Sequence, residues 1–250
     1  MIIKTFARKS PNFAQLIHYI TQDRPHNQHP LRFFQCLPSQ KTEAIIQAFQ
    51  ENDSYRIPRK NGNACYHSIL SFHTLDNSFI TPNILYDLIK KYIQLRAPHT
   101  PCFAQSHHDK EHVHIHALIA GNQYKSVQTT RQSRKEFYQL RVTLEQYQQK
   151  HYPQLQHSLV YERMRTFPKR KLQQTLFHAY DKAENETQFF QFLHRALPNM
   201  LSIDKKQQLL SYQNQQYTFS DFGIDLKIFR RLQELHQIDR AFTRGTSRER

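Results

Sequence analysis

At 250 residues the chain has room for one domain of ordinary size with an extension, or for two small ones. Its 35 Lys and Arg against 20 Asp and Glu leave a formal charge of +15, and 13 Tyr and 18 Phe add stacking faces, a combination suited to polyanions and unpaired bases. No stretch approaches the roughly 18 apolar residues of a membrane span, no signal-peptide core opens the chain, and four glycines cannot build a Gly-rich phosphate loop; membrane proteins, P-loop ATPases and dinucleotide-binding enzymes are set aside.

Residues 1–7 read as a strand. Ser10-Pro11 then looks like a helix start, with Phe13, Leu16, Ile17 and Ile20 as the apolar stripe and Tyr19 on its flank. A Pro- and His-dotted loop with a short strand near Arg32–Cys36 leads to a helix over about Thr42–Glu51. A basic loop, Arg56 to Lys60, precedes a strand over residues 65–73. Thr81-Pro82 starts a helix carrying Leu85, Leu88, Ile89, Tyr92 and Leu95 at helical spacing. Two strands, 101–107 and 112–120, are joined by a turn. Ser133 and Glu136 have capping-box spacing at the head of a helix that runs to His151. Beyond about residue 160 come a basic connector (Arg163, Arg165, Lys169, Arg170, Lys171), helices near 171–183 and 186–197, a small β element over 200–219, a helix near 225–240 and a basic, disordered tail. Three cysteines, Cys36, Cys65 and Cys102, are too few and too scattered for a disulfide framework or a Cys-x-x-Cys metal site; they are expected in the core, in a reducing cytoplasm.

The segment QSHHDKEHVHIHALIAGN holds five of the chain's 16 histidines between His107 and His116. In its second strand His112, His114 and His116 alternate with Val113, Ile115 and Ala117, so the imidazoles share one face and the apolar residues the other. Same-face neighbours lie about 6.6 Å apart along a strand, close enough for two to reach one ion, whereas His112 and His116 are about 13 Å apart. The third ligand then comes from across the turn, where His107 stands, and Asp109 is placed to orient a ligand imidazole from outside. Imidazole donors favour Mn, Zn, Ni or Cu over Mg on grounds of softness.

His107, Asp109, His114 and His116 together resemble the third motif of plasmid mobilisation relaxases, of the His-hydrophobic-His endonuclease superfamily. Ala120 stands where that family usually has Asn, and Gly121-Asn122 follows. FAQLIHYITQD, residues 13–23, resembles the family's first motif and makes Tyr19 the implied nucleophile; YHSILSFHTLDNSFIT, residues 66–81, resembles the second, with Ser71-Phe72 as its Ser-Phe pair. The segment over 133–158 also resembles the helix that follows the family's histidine motif. The resemblance implies an α/β (α+β) fold with a central, mainly antiparallel sheet, a relaxase-like palm with helices over one face, and the tyrosine helix packed near the metal. It implies a relaxase nuclease domain over 1–162, followed by a mostly helical extension over 163–240 and the tail over 241–250.

The implied activity is site- and strand-specific nicking by Tyr19, giving a 5′-phosphotyrosyl adduct, for plasmid mobilisation or conjugative transfer. The implied catalytic residues are Tyr19, Asp109 and Ser71, the implied ligands His107, His114 and His116, and the implied ion Mg²⁺ or Mn²⁺. His67 and His73 share the strand face of Ser71 and line the cleft in this reading. DNA, single-stranded or as a supercoiled transfer origin, is the substrate, contacted by Arg163, Arg165, Lys169, Arg170 and Lys171, with an accessory mobilisation protein and a secretion coupling protein as partners. Two alternatives stand beside it. A rolling-circle initiator or single-tyrosine transposase of the same superfamily would place its nucleophile after the histidines, at Tyr147 or Tyr152. A metal-stabilised DNA-binding protein would carry the same charge and histidines without catalysis.

Overall fold

The computed structural model describes residues 1–9, 11–22, 30–60, 62–108, 113–160, 170–197, and parts of 201–229. The chain divides into two compact units, Met1–Glu162 and Arg163–Arg250.

The first unit is built on an antiparallel sheet of β1 (Ile2–Arg8), β2 (Arg32–Gln35), β3 (Cys65–Ser71), β4 (Cys102–His108) and β5 (Val113–Ala120), in the order β1-β3-β5-β4-β2. Strands β3 and β5 are buried at every residue, because helices lie on both faces of the sheet. Burial on both faces explains why β5 reads as a run of apolar residues interrupted only by imidazoles.

Helices α3 (Pro82–Arg96) and α4 (Arg134–His151) cover one face, where Leu85, Leu88, Ile89, Tyr92, Leu140 and Leu144 close over Ile115, Ala117 and Ile119. Helices α1 (Phe13–Thr21) and α2 (Thr42–Ser54) cover part of the other, where Phe13, Leu16, Ile17, Ile20, Ile45 and Phe49 pack on Cys65, Phe103 and Leu118. The expectation of helices on one face is therefore corrected. The apolar stripe of α1 demands burial as strongly as that of α3, and the histidine face of the sheet supplies it.

The helix starts follow their side-chain caps. Thr81 accepts from the backbone of Ile84 with Pro82 in the first turn, and Ser133 and Glu136 form the full capping box. Helix α1 begins later than Ser10-Pro11 suggested: Asn12 caps it by accepting from the backbone N–H of Gln15 at 3.1 Å. Helix α2 runs one turn past Glu51, because Asn52 is buried and bonded on its inner side. After β3 the chain forms a 3-10 turn, Thr74–Phe79, whose buried Asp76 accepts from the backbone of His157 and Ser158. Cys65 and Cys102 are core residues as expected, but Cys36 is exposed, with φ 53° just past the short edge strand β2.

The second unit contains α5 (Arg170–Lys182), α6 (Glu186–Ala196) and an antiparallel sheet of β6 (Leu201–Asp204), β7 (Leu209–Tyr212) and β8 (Gln215–Thr218). Its core is aromatic, with Phe189 in ring contact with Tyr180, Phe190, Phe219 and Phe229. The helix expected near 225–240 and the tail lie almost wholly outside the described residues. Among the described residues no helix is long and apolar enough to cross a membrane.

Candidate active site

Register decides which side chains meet. His114 lies opposite His107 on β4 and Ser71 on β3; His116 lies opposite Gln105 and Ile69. Directly opposed residues of an antiparallel pair point to the same face. One face of the sheet therefore gathers His107, His114, His116, Ser71 and His67, while Val113, Ile115 and Ala117 enter the core beneath α3 and α4.

The three imidazoles converge. One ligand nitrogen from each of His107, His114 and His116 lies within 4.8 Å of the others, and all three residues are buried. The ring centroids of His107 and His116 are 4.7 Å apart, and those of His114 and His116 are 4.9 Å apart. Nε2 of His107 lies 2.7 Å from the backbone carbonyl of Ile20. A carbonyl only accepts, so Nε2 carries the proton and Nδ1 presents its lone pair as a donor. This donor set fits a divalent transition metal: three imidazoles held on paired strands, one of them fixed as a tautomer by a carbonyl. Mg²⁺ prefers oxygen donors and is the poorer match to these three side chains alone.

Helix α1 brings Tyr19 to this cluster. Its ring is half-buried and meets that of His116 edge to face, with centroids 5.6 Å apart. The apolar stripe of α1 is buried against the sheet, which leaves Tyr19 on the side of the helix beside the histidines.

His67 packs against the cluster from β3. Its Nε2 is 2.9 Å from Nδ1 of His116, and the two rings stack at 22° with centroids 5.1 Å apart. Burial, then the positive charge of Arg8 and then His107, push the pKa of His67 down to about 3, so the ring is neutral. Ser71 is buried next to His114. Two cationic residues missed by pattern reading share this face: Lys4, opposite Ile69 on β1, and Arg32, whose Nε donates to Gln105 at 2.9 Å.

Other expected residues are elsewhere. His73 is exposed and caps the 3-10 turn by accepting from the backbone of Leu75. The strand ends at Ser71, and alternation no longer governs where His73 points. Asn122 is buried six positions beyond His116, where it exchanges hydrogen bonds with Asn52 and donates to the carbonyl of Ser126. Asp109, His112, Arg163, Arg165 and Lys169 lie outside the described residues, while Arg170 and Lys171 open α5. Tyr147 and Tyr152 both donate to the same carboxylate oxygen of Asp87, at 2.8 Å and 2.7 Å, on the α3–α4 side of the sheet. That shared bond and partial burial raise both phenol pKa values; the bond to Asp87 leads for Tyr147 and burial for Tyr152.

The contact of His67 with His116 could not be read from spacing, since only cross-strand register brings a residue 49 positions away into contact. The Ile20 carbonyl left no signal in the sequence, being backbone.

A family model, the MobA/VirD2-like relaxase nuclease domain, matches residues 19–152, more than half of the chain, and spans the tyrosine, the serine strand and the histidine strands. No curated protein matches the sequence significantly. The chain thus belongs to the MobA/VirD2-like relaxases, endonucleases that nick DNA for mobilisation.

Proposed function

We propose that the protein cuts one DNA strand with Tyr19, in a metal-dependent and site-specific way, and keeps the cut 5′ end attached for plasmid mobilisation or conjugative transfer. The observation that carries this reading is the edge-to-face contact of Tyr19 with His116, inside a cluster of three buried imidazoles.

His107, His114 and His116 are the residues that would hold the ion, with Mn²⁺ the better match to the donors and Mg²⁺ the family's other candidate. Such an ion, when bound, neutralises and polarises the scissile phosphate. Tyr19 does the bond-making. Its Oη forms a bond to phosphorus and loses its proton; the bond from phosphorus to the 3′ oxygen breaks, and that oxygen leaves and takes up a proton as a 3′-hydroxyl. One phosphodiester replaces another, so the step is close to balance and can be reversed to rejoin the strand without ATP. The edge-to-face contact with His116 limits rotation of the Tyr19 ring beside the cluster.

Ser71, buried next to His114, contacts the bound strand in this reading. Asp109 serves as an outer partner of the histidines. Lys4 and Arg32 on the same face, and Arg163, Arg165, Lys169, Arg170 and Lys171 in the connector, supply phosphate contacts. The nuclease domain spans 1–162, with residues 163–240 as an extension and 241–250 as a basic tail. The accessory mobilisation protein, the coupling protein and a cytoplasmic location belong to the same reading.

The test incubates the protein with Mn²⁺ or Mg²⁺ and single-stranded oligonucleotides tiling a candidate transfer origin, and runs denaturing gels. A protein–DNA adduct that needs the metal and disappears in Tyr19→Phe is expected. An adduct that survives Tyr19→Phe overturns the nucleophile, and tight binding to the cognate strand with no adduct overturns catalysis.

A further inference from the structure

We propose that His67 is a positioning residue for the histidine centre: it accepts the Nδ1 proton of His116 and so keeps the Nε2 lone pair of His116 available as a ligand. The inference rests on the reading of His107, His114 and His116 as the metal-holding set.

The contact between the rings runs from Nε2 of His67 to Nδ1 of His116 at 2.9 Å, with both residues buried. A nitrogen-to-nitrogen bond of this length holds a single proton, on one ring or the other. If His67 donates, the neutral His116 ring carries its own proton on Nε2, and no lone pair on that ring is left for an ion. If His116 donates, its Nε2 is a free donor atom, and His67 is protonated on Nδ1. Only the second arrangement is compatible with a ligating His116. Metal-bound histidines generally pass their other N–H to a carboxylate, a carbonyl or a water. Here the acceptor is a neutral imidazole.

The contrast with His107 sharpens the point. The Ile20 carbonyl can only accept, so it holds His107 in its ligating tautomer at all times. His67 can donate or accept, and its own Nδ1 is buried without a hydrogen-bond partner among the described residues. Nothing on the far side of His67 among the described residues fixes the direction of the bond, so it reverses when an ion takes His116: Nε2 of His116 releases its proton to solvent, the bridging proton moves onto Nδ1 of His116, and His67 takes up a proton from solvent on Nδ1. The near-parallel stacking of the two rings, at 22°, holds them in register for that shift.

The test compares wild type with His67→Gln, whose side-chain oxygen can accept, and His67→Phe, which keeps a ring but has no acceptor. Titration of metal-free full-length protein with MnCl₂ in a calorimeter should give one ion per chain for wild type. His67→Phe is expected to bind about 10- to 100-fold more weakly, and His67→Gln to recover most of the loss. In parallel, long-range ¹H–¹⁵N spectra of wild type loaded with ZnCl₂ should show the His67 proton on Nδ1. If His67→Phe does not fold, the spectra of wild type decide alone. Equal affinity in wild type and His67→Phe, or a His67 proton on Nε2 in the loaded protein, overturns the inference and leaves the ligand set intact. No Mn²⁺ binding by wild type overturns the ligand set, and the inference with it.

Discussion

The backbone carbonyl of Ile20 accepts a hydrogen bond from Nε2 of His107 at 2.7 Å, so the residue after Tyr19 holds a ring of the histidine cluster. Ile20 lies in the last turn of α1, where carbonyls lack partners within the helix, and the imidazole supplies one. The tyrosine helix and the histidine strands therefore position each other.

That bond predicts a double effect for His107→Ala. Removing the ring strands a buried carbonyl, and the metal-free protein should lose about 1–3 kcal/mol of stability. Stabilisation by Mn²⁺, which at a hundredfold excess over Kd amounts to about 2.7 kcal/mol in wild type, should vanish. Urea melts with Mn²⁺ or EDTA check both, and a variant that Mn²⁺ stabilises as well as wild type would remove His107 from the ligand set.

Tyr147 and Tyr152 clasp α4 and the chain after it to Asp87 on α3. Their raised pKa values leave them with less phenolate at neutral pH than an ordinary tyrosine. Tyr147→Phe and Tyr152→Phe should each cost about 0.5–1.5 kcal/mol in a denaturant melt while adduct formation per folded molecule stays at the wild-type level. Loss of the adduct in either folded variant would point to a nucleophile downstream of the histidines.

The turn after β5 is a packing device. A Cβ at Gly121 would sit 2.0 Å from the carbonyl oxygen of Asn63 and 2.8 Å from that of Ala64, both backbone atoms that cannot swing aside. Gly121→Ala should destabilise by at least the 1–3 kcal/mol typical of overpacking, as read in thermal melts. Asn122→Ala breaks the bonds to Asn52 and Ser126 and should also melt earlier, with nicking per folded molecule unchanged. A folded Asn122→Ala protein that binds metal but cannot nick would give Asn122 a role in the chemistry.

Tyr92 is fully buried, and burial raises its pKa above the ordinary value of 10.0. As pH climbs past about 10 the unfolded chain releases this proton while the folded chain keeps it. The unfolded state then binds fewer protons than the folded one, and stability falls by up to about 1.4 kcal/mol per pH unit from this group. Tyr92→Phe also loses the hydrogen bond to Ser68 at 2.8 Å, so it should start lower at neutral pH and decline less steeply above pH 10. Parallel slopes in denaturant melts from pH 9 to 11 would contradict this.

The sequence made the sheet strands, α3, α4 and the histidine trio legible for one reason: each is written in local alternation, helical spacing or a cap. His114 and His116 two apart on a strand, and Ser133 three before Glu136, are patterns a reader can count. What escaped reading depends on pairing between distant segments. Register sets His67 against His116, and packing sends α1 and α2 to the face opposite α3 and α4. His73 leaves the pattern for a local reason: β3 ends at Ser71, and strand alternation does not extend two residues past it.

The most direct test of the central claim is to trap the adduct on a cognate oligonucleotide, digest it with protease and nuclease, and find by mass spectrometry which tyrosine carries the nucleotide phosphate. The account predicts the modification on Tyr19, in the peptide of α1. A phosphate on Tyr147, Tyr152 or any other residue would contradict it.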